Sequence, residues 1–455
     1  MQRAVPHPKR TQQQQIPHQR PPSATSTTAW QIAHERNPIR KIGRILGPGF
    51  ITGASDDDPS GIGTYAVAGA TLGTQILWTA LLTFPLMAAV QNICARLGMC
   101  SGYGLAGVLR RHFPRPVLYG AVLLLFIANT INVGADLAAI VDGVGSLTGV
   151  RAGWLVAPVA VAILLLQILG SYRLIANTFK WLTLALLAYV VDAFVVHPDL
   201  GETLRATIVP TLRFDAAYLT GLVAVLGTTI SPYLFFWQSS EEIEEEVEMG
   251  HTTVASRRGA TDAEIRYSTI DVNVGMAFSN LVMYFIILAT ALTLARSGHA
   301  DIRTATDAAE ALRPLAGDLS ATLFVIGIVG AGVLAVPILS GSAAYALAEA
   351  FGWRYGLETH WSRAKPFYAV IVLATAAGAA LDFLGINAYD ALFYTAVLNG
   401  VIAPPLLVLV MLAARDRKVM AGRTIGTVLT ALGWIATGAM FLALVGLAYT
   451  TFTAR

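Results

Sequence analysis

The chain has 455 residues, of which 55% are hydrophobic and only 13% are Asp, Glu, Lys or Arg. Soluble domains carry about 25% charged residues, so this composition excludes a water-soluble globular protein and predicts a polytopic membrane protein. The formal net charge of +3 is explained by basic loops that meet anionic lipid headgroups, and it does not indicate a nucleic-acid partner.

The chain is predicted to divide into a short tail and one transmembrane domain. Residues 1–38 contain a QQQQ run, several prolines and no apolar run, which predicts a disordered cytoplasmic tail and not a signal peptide. Most of the 31 Lys and Arg residues fall on the side of the N-terminus, which predicts a cytoplasmic N-terminus. Within 39–455, eleven segments approach the roughly 20 apolar residues of a spanning helix, at about 45–72, 75–97, 117–145, 153–169, 178–197, 216–239, 270–295, 319–351, 367–384, 388–413 and 425–452.

Helix-breaking sequence interrupts two of these spans near their middles: DPSG at 58–61 in the first span and SPY at 231–233 in the sixth. This five-helix spacing is typical of leucine-transporter-like carriers, which contain two inverted five-helix repeats whose first helices unwind at the bilayer midplane. We therefore predict an all-α fold with repeats over about 45–197 and 216–413, followed by an extra helix. Unpaired backbone groups in lipid cost several kcal/mol each, so the breaks also predict a protein-lined cavity.

The first break carries an aspartate, Asp58, that needs a counter-charge. An ionised carboxylate at the bilayer centre costs at least about 2.5–3.5 kcal/mol, and no Lys or Arg lies in the hydrophobic middle of any span. We therefore predict that a cation from solution binds Asp58 together with carbonyl groups that the breaks release. The other candidate ligands lie around the same two breaks and are Ser55, Ser60, Gly61, Thr228, Thr229, Ser231 and Tyr233.

The types of ligand at the breaks limit which cation can bind. No Met, Cys or His lies at either break, so the predicted site contains oxygen ligands alone. Such sites suit hard ions such as Mg²⁺, Ca²⁺ and Mn²⁺. The small residues at 60–63 leave room for the waters that Mg²⁺ tends to retain.

Four further polar residues are candidates for a vestibule or a proton relay: Asp56, Asp57, Asp136 and Asn399. Successive helical residues point in different directions, so at most one of the first two should share the orientation of Asp58. That residue would line the vestibule; alternatively, it caps the unwound segment or pairs locally. Most other intramembrane polar residues are expected to be interhelical hydrogen-bond partners.

An acidic run, EEIEEEVE at 241–248, follows the sixth span. A helix C-terminus disfavours negative charge unless cations lie nearby. We predict a solvated helix extension whose glutamates pair with Arg257, Arg258 and Arg266. The alternatives are an ion-exit funnel and a regulatory metal site.

The two breaks carry a family resemblance. GPGFITGASDDDPSGIGTYAVAGATLGTQILW resembles the first-helix signature of the natural resistance-associated macrophage protein (Nramp) family of divalent-metal transporters, and LGTTISPYLFFWQSS is similar to its sixth-helix signature. With ADLAAIVDGVGSL in the third helix, the resemblance covers nearly all of 40–452. It implies that Asp58 is the metal-binding aspartate, that the family's binding asparagine is replaced by Gly61, and that its metal-binding methionine is replaced by Ser231.

These departures imply a particular substrate class. In the family the methionine supplies selectivity for transition metals, and the Nramp-related magnesium transporters also lack it. The resemblance therefore implies uptake of Mg²⁺ or Mn²⁺ by alternating access across a plasma membrane, in bacteria the inner membrane. The family's histidine after the sixth-helix proline is Tyr233 here, and an acidic third-helix position is Ala139. Transport without proton coupling fits these changes, driven by a potential worth about 4.6 kcal/mol for a divalent ion at 100 mV.

Two other carriers remain as alternatives: a proton-coupled Mn²⁺/Fe²⁺ transporter, and a Na⁺-coupled amino-acid symporter of the same architecture. Asp58 would repel the carboxylate of an amino-acid substrate, which counts against the second. An intramembrane aspartyl enzyme would need two carboxylates that share a proton, and neighbouring residues on one helix rarely converge in that way. Because the sequence also lacks Walker A, HExxH, CxxC and Ser-nucleophile motifs, it predicts no enzyme and no resident cofactor.

Overall fold

The computed structural model describes residues 46–169, 198–297, 305–357, 359–384 and 388–453, and within these ranges every regular element is a helix. The helices are numbered here in chain order. They are α1 (Pro48–Asp56), α2 (Pro59–Leu72), α3 (Trp78–Ser101), α4 (Leu105–His112), α5 (Arg115–Thr148), α6 (Ala152–Leu169), α7 (Leu200–Ile208), α8 (Ala216–Thr229), α9 (Pro232–Glu248), α10 (Val254–Arg257), α11 (Asp262–Ser297), α12 (Ala305–Phe351), α13 (Lys365–Leu381), α14 (Ala388–Arg415) and α15 (Thr427–Thr453).

These helices confirm the predicted all-α polytopic fold. Eight helical segments among the described residues are long and apolar enough to cross a membrane, with α8 and α9 counted as one, and α13 is a shorter apolar helix. Each predicted span except the fifth corresponds to one helix or to a broken pair. The fifth span, at about 178–197, and the tail at 1–38 lie outside the described residues. The boundaries of the two repeats stay a prediction.

Both predicted breaks interrupt a helix. α1 ends before Asp57, whose φ of −87° and ψ of 46° are not helical, and Asp58 is extended at φ −66° and ψ 166°. The second break has the same form: Ile230 leaves helical geometry and Ser231 is extended at φ −73° and ψ 132°. Proline explains both, because it donates no backbone hydrogen bond and favours an extended residue before it. Pro59 and Pro232 then start new helices, where a missing N–H has no cost.

Glycine contacts hold α1 against α11. A Cβ atom built on Gly53 would lie 2.2 Å from the carbonyl carbon of Gly275, and one on Gly49 would lie 2.5 Å from the backbone nitrogen of Val272. No real side chain fits at these distances, so the two backbones touch directly. Close approach through small residues is a usual way for helices to associate in a membrane.

A buried carboxylate fixes the N-terminus of α1. Asp271 on α11 accepts hydrogen bonds from the N–H groups of Gly47 (2.9 Å), Gly49 (2.7 Å) and Phe50 (3.0 Å). The first N–H groups of a helix have no partner within the helix, and a negative charge at this end is favoured by the helix dipole. Asp271 therefore sets the position of the short helix that leads into the first break.

A second glycine contact positions the other broken helix. A Cβ atom on Gly227 of α8 would lie 2.2 Å from the carbonyl oxygen of Ala396 and 2.4 Å from the nitrogen of Gly400, both on α14. Gly227 lies just before the second break. Both breaks are thus held by direct backbone packing against a neighbouring helix.

The prediction that the acidic run is solvated is wrong. α9 continues to Glu248, and the side chains of Glu241, Glu242 and Glu246 are buried. Glu242 Oε1 accepts hydrogen bonds from Gln238 (3.0 Å) and Ser268 (2.9 Å). The run was expected to extend into water, but α3, α4 and α12 pack against α9, and Gly98 of α3 lies directly against Ser239 and Glu242.

Candidate functional site

The Asp58 side chain lies between the two breaks and is only 2% exposed. Its Oδ1 atom accepts a hydrogen bond of 2.6 Å from the N–H of Gly61, which makes Asp58 the N-cap of α2. The hydroxyl of Tyr233 on α9 lies 3.4 Å from Asp58 Oδ2 and 2.8 Å from the carbonyl oxygen of Ser55, which accepts its hydrogen bond. Tyr233, which follows the second break, therefore contacts both the end of α1 and the Asp58 side chain at the first break.

Gly61 lies between Asp58 and α8, which approach each other closely because position 61 has no side chain. A Cβ atom there would lie 3.3 Å from Asp58 Oδ1, 3.3 Å from the hydroxyl oxygen of Thr228 and 2.9 Å from the backbone oxygen of Asp56. The Thr228 hydroxyl and the Asp58 carboxylate thus lie on two sides of Gly61, and their role as ligands of one ion stays a prediction. Any larger residue at 61 would come between them.

The predicted serine and threonine ligands differ in how their hydroxyl groups are used. Ser60 Oγ is buried and has no hydrogen-bond partner among the described residues. Ser231 Oγ donates to carbonyl oxygens at the end of its own α8 segment, those of Gly227 (3.0 Å) and Thr228 (2.6 Å). The hydroxyls of Ser55 and Thr229 also turn back onto their own helices. At Ser55 it is therefore the backbone carbonyl, and not the hydroxyl, that faces Tyr233.

Asp56 and Asp57 converge on one hydroxyl group. Ser279 Oγ lies 2.7 Å from Asp56 Oδ2 and 3.2 Å from Asp57 Oδ1, and both aspartates are fully buried. Neighbouring side chains on a regular helix point in different directions, so this convergence was not expected. They converge here because α1 ends at Asp56 and the backbone turns at Asp57. Asp56 Oδ1 and Asp57 Oδ2 have no hydrogen-bond partner among the described residues.

The two relay candidates lie on other helices around the breaks. Asp136 on α5 is fully buried and lies within electrostatic range of Asp58 and close to the backbone N–H of Ser60. Asn399 on α14 is also buried, and its Nδ2 atom lacks a hydrogen-bond partner in the described part of the chain. Asn399 precedes Gly400, which contacts Gly227 beside the second break. The structure thus brings Asp136 close to Asp58 and places Asn399 beside the other break.

Three residues of this region were not identified from the sequence: Tyr65, Asn132 and Ser279. Tyr65 is fully buried within electrostatic range of Asp56, Asp57 and Asp58. Tyr65 follows Gly61 by four residues and Asn132 precedes Asp136 by four, so helical periodicity could have found both. Ser279 carried no comparable signal, because one serine in a long apolar helix is usually a packing residue.

The carboxyl groups of the site have no basic partner in the part of the chain that the structure describes. Within the described ranges, no Lys, Arg or His side chain bonds to the carboxylates of Asp56, Asp57, Asp58 or Asp136. The same ranges contain no group of three or more His, Cys, Asp or Glu side chains arranged as a metal cluster. A cation here would therefore bind one carboxylate together with hydroxyl, carbonyl and water oxygens, a ligand set for hard ions.

Comparison with known proteins identifies the family. The family model for natural resistance-associated macrophage protein-like (Nramp) proteins matches residues 49–450. The divalent metal cation transporter MntH of Aeromonas hydrophila subsp. hydrophila is 28% identical over 304 residues, which cover 65% of this chain and 71% of that protein. MntH of Yersinia pestis is 28% identical over 308 residues, covering 66% and 71%.

A solved structure shows the same fold. The manganese transporter of Eremococcus coleocola, in complex with an aromatic bis-isothiourea substituted compound, has a TM-score of 0.66 and 16% sequence identity, and the match covers 92% of this chain and 88% of that one. The matched proteins are transporters, which confirms the expectation that the chain is not an enzyme. Because the family model matches far more than half of the sequence, the resemblance seen at the two broken helices is confirmed, and the protein belongs to the Nramp family.

Proposed function

We propose that the protein carries hard divalent cations across the membrane by alternating access, with Asp58 as the principal ligand. Membership of the Nramp family and relatives named divalent metal cation transporters support a divalent metal substrate. One observation carries the assignment to this site: the Asp58 carboxylate is buried at a helix break, faces Thr228 across Gly61, and has no basic partner among the described residues.

The other ligands follow from which oxygen atoms remain available. Asp58 Oδ1 already caps α2, so Oδ2 is the freer carboxylate oxygen. Thr228 Oγ1 lies across Gly61 from the Asp58 carboxylate, Ser60 Oγ is a buried hydroxyl two residues after Asp58, and Ser231 Oγ can still accept through a lone pair. Tyr233 is assigned a supporting role, because its hydroxyl bonds to the Ser55 carbonyl and so fixes the end of α1.

The ligand set favours Mg²⁺ and Mn²⁺ over softer metals. Every available atom is an oxygen, whereas thioether and imidazole ligands would favour softer transition metals. The absence of a side chain at Gly61 lets the Asp58 carboxylate and the Thr228 hydroxyl approach each other, which brings two hard oxygen ligands together. Mn²⁺ also accepts carboxylate, carbonyl and water ligands, and transport assays must therefore compare the two ions.

We infer uptake into the cytoplasm without obligatory proton coupling. Tyr233 stands where the family has a histidine, and its hydroxyl is engaged by the Ser55 carbonyl. A divalent ion gains about 4.6 kcal/mol on entering at an inside-negative potential of 100 mV, so no co-substrate is needed to drive uptake. This direction rests on the topology predicted from Lys and Arg, in a bacterial inner membrane with the N-terminus in the cytoplasm. Asp136 is the candidate relay if protons do move.

Uptake into proteoliposomes tests this function. An inside-negative potential is imposed, Mg²⁺ and Mn²⁺ are compared, and a lumenal pH dye reports proton entry. Asp58→Asn removes the charge with little change in size, and Asp199→Asn is the matched control, because Asp199 is an exposed helix cap that asparagine can replace. We expect potential-driven Mg²⁺ uptake in wild type and the control, none in Asp58→Asn, and no acidification.

Other outcomes would assign a different function. Uptake of Mn²⁺ alone with acidification of the lumen would indicate a proton-coupled transition-metal carrier. Equal Mg²⁺ uptake in wild type and Asp58→Asn would show that the cation binds elsewhere. Failure to transport either ion would exclude the proposed carrier, provided that all three proteins reconstitute to the same extent.

A further inference from the structure

A cavity of 520 Å³ lies at one end of the helix bundle, and none of its lining residues belongs to the candidate cation site. It forms where α3 ends, α11 begins and the segment between α14 and α15 meets them. Three arginines line it, together with apolar side chains; they are Arg96, Arg266, Arg423, Ile265, Ile270 and Met420. A cavity with several guanidinium groups on an apolar wall is suited to an anion that has an apolar part.

The charges around this cavity are unbalanced. Arg423 Nη1 forms an ion pair of 2.7 Å with Asp262 Oδ1, but the Asp262 side chain is 94% exposed, so solvent screens the pair. Among the described residues that line the cavity, Asp262 is the only acidic one, against three arginines. Like charges that converge on one space repel each other unless an anion lies between them. The lining therefore has an excess of positive charge.

The guanidinium group of Arg96 forms only long hydrogen bonds with the described residues. Its Nη1 atom is 3.3 Å from the Ile425 carbonyl oxygen, and its Nη2 atom is 3.4 Å from Thr269 Oγ1, which are long distances for hydrogen bonds. Its Nε atom is buried and has no partner among the described residues. Arg96 thus lies between α11 and the start of α15 with a guanidinium group that an anion could satisfy better.

The position of the cavity favours a lipid. The end of α3, the start of α11 and the α14–α15 segment lie on the side that the distribution of Lys and Arg assigns to the cytoplasm. Ile270 of the lining is 37% exposed, and Val274, one turn further along α11, is 42% exposed. Apolar side chains exposed in this way on a spanning helix face acyl chains. The cavity is therefore at headgroup depth with an apolar edge beside it.

We propose that this cavity binds a phosphate group, and specifically that of an anionic phospholipid in the leaflet on this side of the membrane. Arg96, Arg266 and Arg423 supply charge-assisted hydrogen bonds to the phosphate oxygens, and Ile270 contacts the start of an acyl chain. Basic pockets between helices at the cytoplasmic face are a known mode of anionic headgroup recognition. Free phosphate or a phosphorylated metabolite offers the same chemistry without the acyl chain, and the test separates these sources.

The test measures ligand binding to the purified full-length protein in detergent. Phosphatidylglycerol is titrated and followed by native mass spectrometry, with phosphatidylcholine as the zwitterionic comparison and inorganic phosphate as the lipid-free arm. The variant is Arg266→Gln combined with Arg423→Gln. Arg417→Gln is the matched control, because Arg417 is exposed on the same α14–α15 segment but does not line the cavity. Arg266→Gln alone serves if the double variant does not fold.

We expect phosphatidylglycerol to bind wild type and Arg417→Gln equally and the double variant at least about tenfold more weakly, as expected for lost charge-assisted hydrogen bonds. Phosphatidylcholine should bind all three weakly. Arginine-dependent binding of inorganic phosphate without a preference for phosphatidylglycerol would keep the phosphate site but reject the lipid. Binding of either ligand that is equal in all variants, or no binding, would overturn the proposal. None of these outcomes depends on the cation site.

Discussion

Removing the Asp271 carboxylate should destabilise the protein at the start of its first broken helix. Asp271 is 3% exposed and accepts three N–H groups at the N-terminus of α1, of which that of Gly49 is buried and those of Gly47 and Phe50 are partly buried. A buried donor left without a partner costs about 1–3 kcal/mol, and water can replace part of the loss at the other two. Asp271→Ala should therefore lower the free energy of unfolding by about 2–4 kcal/mol.

Unfolding in mixed micelles with increasing denaturing detergent, followed by tryptophan fluorescence, measures this change. Asp215→Ala is the matched control, since Asp215 also caps a helix, accepting from the Tyr218 N–H at 2.9 Å, but in an exposed position. Asp271→Asn should give an intermediate loss, because one amide oxygen remains to accept. Equal losses in Asp271→Ala and Asp215→Ala would refute the reasoning that burial makes this cap strong.

Three further predictions concern the breaks themselves. Gly61→Ala should reduce cation uptake into proteoliposomes sharply without preventing folding, because its Cβ would come between Asp58 and Thr228. Gly120→Ala is the control: its Cβ would meet nothing within 4 Å, so this variant should transport normally. Tyr233→Phe removes the hydrogen bond to the Ser55 carbonyl and should weaken cation affinity by about 10- to 100-fold. Isothermal titration calorimetry measures this change, and an unchanged affinity would contradict the supporting role of Tyr233. Ser279→Ala removes the hydroxyl donor that the buried Asp56 and Asp57 carboxyl groups share. The free energy of unfolding should fall by about 1–3 kcal/mol in the micelle assay, and no loss would show that water replaces the hydroxyl group.

The breaks were predictable from sequence because their causes are local. Proline at 59 and 232 removes a donor and forces an extended residue before it, whatever the rest of the chain does. The predicted ligands lie close to these prolines, and the structure places Thr228 near Asp58 Oδ1 and Tyr233 near Asp58 Oδ2, while their role as ligands stays a prediction. Long apolar segments predicted the spans for a similar reason, because length and composition alone determine whether a helix can cross a bilayer.

The errors came from treating the chain as regular where it is not. Helical periodicity separates neighbouring side chains by about 100°, which is why Asp56 and Asp57 were expected to diverge. That periodicity ends at Asp56, and the two carboxylates then converge on Ser279, more than 220 positions later in the chain. The acidic run on α9 was misjudged for a different reason: helices distant in sequence bury it, and local charge density carries no information about them.

The contacts around the breaks also explain how the two halves of each broken helix are held in position at the proposed cation site. An unwound segment would collapse if only prolines defined it, because proline interrupts a helix without fixing where the two halves lie. Here α1 is held on α11 by backbone contact at Gly53 and by Asp271, and α8 is held on α14 by backbone contact at Gly227. Tyr233, at the start of α9, then connects the second broken helix to the end of α1 through the Ser55 carbonyl. Any movement that separates α9 from α1 must break this hydrogen bond beside Asp58, so occupation of the site and the relative position of the broken helices are physically linked.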